Sequence, residues 1–219
     1  MNDVPSLTGP GFGPAAGGAA RRLVVLLHGY GANGQDLIGL APAFAQVLPD
    51  AAFIAPDAPW RCAMSPFGYQ WFDVWNDDPE DRLRQLREAA AIVDRFIDDR
   101  LAAHGLGMRD LALCGFSQGT MLALHVGLRR NSACAGILGY SGRLEAPERL
   151  AAEIAARPPV MLIHGEKDEL INVALMDRAA ETLRACGLTV ETHRRPGLGH
   201  GIDPDGIRLG AGFLTVAFA

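Results

Sequence analysis

A chain of 219 residues, 49% hydrophobic and 21% charged, is long enough to bury one substantial core without disulfide or metal staples. Its net charge of -5, with basic residues scattered rather than gathered into a stripe, argues against a nucleic-acid partner or stable membrane association. Cys62, Cys114, Cys134 and Cys186 show no paired spacing, so reduced thiols and a cytoplasmic setting are expected.

The first twenty residues lack both a basic start and a long apolar stretch, which speaks against a secretory signal. Residues 9–20 are mostly Gly, Pro and Ala, and 1–20 read as a flexible or irregular lead-in, leaving 21–219 as a single domain. Leu23 to Leu27 is a continuous apolar run, too short for a bilayer and suited to a strand buried on both faces. It ends in His28-Gly29-Tyr30-Gly31. Ala52 to Ala55, stopped by Pro56, is a second strand.

The segment 60–79 follows neither strand nor helix periodicity. It carries Met64, Phe67, Tyr69, Trp71, Phe72 and Trp75 among Pro, Gly and Asp. It reads as an irregular loop over the core edge or as a pocket wall, with Met64, Phe67, Trp71 and Phe72 as candidate pocket residues. Leu83, Leu86, Ala90, Val93, Ile97 and Leu101 then recur every three to four residues and predict a long helix, ended by Gly105 and Gly107. Strands follow at 111–114, 135–139 and 160–164, with helices over 121–128, 146–156 and 173–186 and an edge strand over 189–193. Such alternation predicts a mostly parallel central sheet with helices on both faces and chemistry at the strands' carboxyl ends.

Gly115-Phe116-Ser117-Gln118-Gly119 lies where an apolar strand meets a helical pattern. In a Gly-x-Ser-x-Gly turn of this kind the serine projects from a strained corner, at the amino end of a helix. The alternative is a serine that merely caps a buried helix. A serine nucleophile needs a base and an acid that orients it. His200, in the glycine-rich loop 197–201, is the preferred base, over His193 inside the edge strand and His164, which should pack beneath the site. Asp168, in a Gly-x-x-Asp turn after a strand, is the preferred acid over Glu166 and Glu169. Oxyanion donors are expected at the backbone N–H groups of Gln118 and Tyr30, although the glycines around Tyr30 also suit a plain turn. Neither a phosphate-binding glycine loop nor zinc-ligand spacing is present, so no cofactor and no metal are expected.

The segments 26–34, 55–59 and 71–73, Gly115 to Gly119, His164-Gly165-x-x-Asp168 and Gly199-His200 resemble, in this order, the phospholipase/carboxylesterase family. That resemblance implies an α/β-hydrolase fold without a large cap domain. It implies ester or thioester hydrolysis through an acyl-enzyme, and often a homodimer. Acyl-protein thioesterases look like His-Gly-Leu-Gly-Asp at the loop where this chain has Tyr30 and Ala32-Asn33, which favours the bacterial carboxylesterase branch and small monoester substrates. Longer acyl chains, as in a lysophospholipase or thioesterase, are the alternative; a non-catalytic binding protein on the same fold is another.

Overall fold

The computed structural model describes residues 6–219. Seven strands form one sheet: β1 (Gly11–Phe12), β2 (Arg22–Leu27), β3 (Ala51–Ile54), β6 (Leu111–Phe116), β7 (Gly136–Tyr140), β8 (Val160–Gly165) and β9 (Val190–Arg195). Between β3 and β6, β4 (Trp60–Arg61) and β5 (Tyr69–Gln70) pair with each other as a small ribbon. The sheet order is β1-β3-β2-β6-β7-β8-β9, parallel throughout except for β1. The strand sequence turns back on itself between β2 and β6, a switch point of the kind where doubly wound sheets bind ligands.

The continuous apolar runs feed two cores. Leu23, Val25 and Leu27 of β2 face one layer, built on α3 (Pro79–His104), α4 (Gln118–Arg129), α5 (Pro147–Glu153) and α6 (Ala174–Ala185). Val24 and Leu26 face the other, with α1 (Gly34–Leu37), α2 (Ala41–Ala45) and α7 (Pro204–Ala217). A strand buried on both faces has no use for polar alternation, which is why β2 reads as an unbroken hydrophobic run. The long α3 is capped by Asp78, whose side chain accepts from the N–H groups of Glu80 and Asp81 at 3.0 and 3.4 Å. It closes at Gly105, where φ is 65°.

The lead-in departs from expectation. Its described part is held against the sheet, with β1 antiparallel to β3 and Leu7 buried. Ala55 N–H donates to Pro10 O at 3.0 Å and Asp57 N–H to Thr8 O at 2.8 Å. Backbone groups on the outer edge of β3 need partners, and a glycine-rich segment can approach closely enough to supply them. At Gly9 a Cβ would lie 2.1 Å from Ala55 O. Residues 1–5 of the expected lead-in lie outside the described residues.

Among the described residues no helix is long and apolar enough to cross a membrane. His125 is buried inside α4 with Nδ1 unpartnered. Burial, reinforced by the Arg129 charge, lowers its pKa to about 3 from the ordinary 6.5. The unfolded chain thus takes up a proton at this site that the folded one resists. Its contribution to stability is complete above pH 6.5 and shrinks as pH falls from there toward about 3. The melting temperature should drop between pH 7.5 and 4.5, and His125→Leu should flatten that drop; equal slopes in the two proteins would contradict this.

Candidate active site

The turn after β6 places Ser117 at φ 53°, ψ −114°, a left-handed region costly for a side-chain-bearing residue. It is over-determined by packing. Ser117 N–H donates to Tyr140 O at 2.8 Å, and Thr120 N–H returns to Ser117 O at 3.0 Å. A Cβ at Gly119 would come within 1.8 Å of Leu27 O, and one at Gly115 within 2.4 Å of the Gly119 backbone. Only glycine lets α4 start this close to β2 and β6. The Ser117 hydroxyl caps nothing, which removes the helix-cap alternative.

Asp168 follows β8 with its side chain fully enclosed. Its Oδ1 accepts from the N–H groups of Leu170 and Ile171 at 2.9 and 2.8 Å. Its Oδ2 accepts from His200 Nδ1 at 2.7 Å and lies 3.0 Å from His164 Nε2. Burial pushes the carboxyl pKa up, but the bonds from Ile171, His200 and Leu170 outweigh it and hold the pKa below the ordinary value. The bond to Asp168 puts the His200 proton on Nδ1 and leaves Nε2 as the free base. His164 packs beneath, as expected, with Nε2 also 2.8 Å from Ile171 O.

The loop carrying His200 is pinned from below. A Cβ at Gly165 would strike Gly199 O at 2.2 Å, and Lys167 N–H donates to Leu198 O at 2.9 Å. His200 leans on Phe116 with ring centroids 5.0 Å apart. Ser117 and His200 border the same cleft, although no hydrogen bond joins them in this structure. Catalytic hydrogen bonds are often long before substrate arrives. His193 lies in β9, bonded to Glu191 at 2.6 Å and away from the cleft.

The loop after β2 borders the cleft with Gly29 and Tyr30. His28, buried, fixes it. Ala58 N–H donates to His28 Nε2 at 3.0 Å, so Nδ1 carries the proton and donates to Gly29 O at 2.7 Å. Burial lowers the His28 pKa, which keeps this neutral arrangement. Beside it, the Tyr30 phenol is pushed up to about 12 by burial and by neighbouring Cys62. Gln118 is fully buried, accepting from Trp71 N–H at 2.9 Å and donating to Phe72 O at 2.6 Å. Trp71 Nε1 in turn donates to His28 O at 3.0 Å. Side chains therefore tie together the two loops whose backbone N–H groups, at Tyr30 and Gln118, are the candidate oxyanion donors.

This corrects the expected pocket wall. Trp71 and Phe72 are buried behind the loop that follows β2, not in the cleft, because the Gln118 amide needs backbone partners and the indole N–H needs an acceptor. Met64 and Phe67 are exposed on the β4–β5 connection and do not line the cleft either. The cleft, about 190 Å³, is instead walled by Val74, Trp75, Met121, Arg143, Leu170 and Ile171. Val74 and Trp75 belong to the segment 60–79 read as a possible pocket wall, although neither was singled out there as a pocket residue, and sequence reasoning passed over the other four. Leu170 and Ile171 adjoin Asp168, and Arg143 follows the end of β7 by three residues, so position after a strand's carboxyl end was the available signal.

The sequence profile described as Phospholipase/Carboxylesterase matches residues 15–217. The crystal structure of esterase PE8 is similar to this fold with a TM-score of 0.91 and 44% identity, covering 96% of this chain and 98% of that one. A probable inactive carboxylesterase of Oryza sativa subsp. japonica is 30% identical over 207 residues, 87% of this chain and 82% of that protein. Esterase YpfH of Escherichia coli strain K12 is 28% identical over 187 residues, 84% and 78% of the two chains. With the profile spanning almost the whole domain, the chain belongs to the phospholipase/carboxylesterase family of α/β-hydrolases.

Proposed function

We propose that this carboxylic ester hydrolase cleaves small, soluble monoesters, with Ser117 as nucleophile, His200 as general base and Asp168 holding that base in register. Ser117 Oγ attacks the ester carbonyl while His200 Nε2 takes its proton. The backbone N–H groups of Tyr30 and Gln118 hold the developing oxyanion. The alcohol leaves with the proton from His200, and water activated by the same imidazole frees the acid. The carrying observation is the 2.7 Å bond between His200 and a buried, ionised Asp168, on the same cleft as a serine hydroxyl that makes no cap bond to its helix.

Size supports a short acyl group. The cleft's 190 Å³ falls below the roughly 300–1,000 Å³ usual for drug-sized ligands. Turnover of p-nitrophenyl esters from acetate to palmitate should peak at four carbons or fewer; a maximum at palmitate would move the assignment to long-chain substrates. The four cysteines, all unpaired, support the cytoplasmic placement. A small-molecule substrate, without nucleic acid or stable membrane association, belongs to the same proposal. So does the homodimer that the family resemblance implies, which light scattering would test.

A further inference from the structure

Among the described residues lining the cleft, Arg143 is the one with a permanent charge. Its position is tightly prescribed. β7 ends at Tyr140, and Ser141 turns the chain at φ 47°. Gly142 then presses on the turn at Ser117, since a Cβ there would lie 2.4 Å from Thr120 Cβ and 2.9 Å from Ser117 O. Arg143 is thereby delivered next to the nucleophile's own turn.

Its guanidinium is oriented but not consumed. Nε donates to Glu145 at 2.6 Å, and neither Nη group bonds to protein among the described residues. Glu145 is buried and shared. Arg82 Nε also reaches it, at 3.3 Å, while Arg82 Nη1 donates to Asn76 O at 2.6 Å beside the Trp75 wall. One carboxylate faces two guanidinium groups, so one positive charge is left over. Of the other charged groups close by, Arg149 pairs with Glu80 and stands 3.9 Å from Glu148, and Arg178 adds a further positive charge without an ion-pair partner among the described residues. The remaining cleft wall is largely apolar and offers that charge no protein counter-ion.

From this we propose that Arg143 is a specificity-determining residue and that the preferred substrates carry a second, ionised carboxylate, as in the hemi-esters of short dicarboxylic acids. The inference rests on the esterase reading above. The apolar walls hold the alkyl spacer, and the free fork of Arg143 binds the distal carboxylate in the two-point manner that favours arginine over lysine. Hydrolysis follows the same acyl-enzyme route and releases a dicarboxylate and an alcohol.

The test compares monoethyl succinate and monoethyl adipate with the matching diethyl esters at constant ionic strength. The readout is the ratio of kcat/KM for the charged ester to that for its capped partner. Arg143→Gln should lower this ratio about tenfold or more, mainly through KM, and Arg143→Lys should retain part of it. Thermal melts check that both variants are folded. Independently, succinate or adipate ions should inhibit wild-type hydrolysis of p-nitrophenyl acetate competitively, more strongly than equal ionic strength of sodium chloride. A ratio unmoved by Arg143→Gln, or dianion inhibition no greater than that of chloride, overturns the proposal. If the wild type turns over p-nitrophenyl acetate but none of the hemi-esters, the proposal falls and the esterase reading stands. If it turns over no ester at all, the esterase reading falls and takes the proposal with it.

Discussion

Replacing Ser117 with alanine is expected to lower kcat on p-nitrophenyl acetate by roughly 10⁴- to 10⁶-fold, the range seen when a triad nucleophile is removed. The melting temperature should stay near the wild-type value. The hydroxyl makes no cap bond to lose, and the backbone contacts at Tyr140 and Thr120 do not involve the side chain. Alanine bears the same strain at φ 53° as serine does. A loss of activity accompanied by unfolding would leave the chemistry unassigned to Ser117 and would contradict this separation. Turnover within tenfold of wild type would contradict the nucleophile assignment itself.

Asp168→Asn should cost about 10³- to 10⁴-fold in kcat, by analogy with the same change in a serine protease triad. The reason lies in which nitrogen of His200 bears the proton. The asparagine Oδ1 can still accept from Leu170 and Ile171, so the turn survives. Its amide NH₂, however, faces His200 Nδ1 where a carboxylate oxygen accepted a proton at 2.7 Å. Two donors cannot share that contact. The imidazole must move its proton to Nε2, and it can then no longer receive one from Ser117. His164 Nε2, 3.0 Å from the same oxygen, loses an acceptor too, so a modest fall in stability should accompany the kinetic loss. The decrease should appear in kcat more than in KM, because substrate contacts are untouched. Comparable losses in both parameters would point to a collapsed cleft instead.

The parallel sheet was readable because its strands, buried on both faces, write themselves as apolar runs between amphipathic helices. β2, β6 and β8 lie within one to two residues of where those runs place them. The elements that escaped notice have weak local signals for identifiable reasons. α7 contains Gly206, Gly210 and Gly212, which lower helical expectation. Gly210 is there because a Cβ would lie 2.2 Å from the Tyr140 hydroxyl, which donates to Gly206 O at 3.0 Å. β1 is two residues long and exists only through its pairing with β3.

The same distinction runs through the site. Ser117, Asp168 and His200 were legible because each lies in a turn with a glycine at a telling distance. The pocket wall was not, because aromatic content says nothing about direction. Trp71 is fully buried as a brace for His28 and Gln118, whereas Trp75, four residues on, reaches the cleft. Which of two neighbouring tryptophans turns inward is decided by the hydrogen-bond needs of residues far away in sequence.

The central claim is that one serine, and no other, carries the acyl group. Intact-mass measurement after exposure to a fluorophosphonate probe, followed by peptide mapping, tests it directly. The protein should gain a single adduct on the peptide containing Ser117, and the Ser117→Ala variant should gain none. A wild-type protein that stays unlabelled, or one labelled at a different residue, would contradict the account.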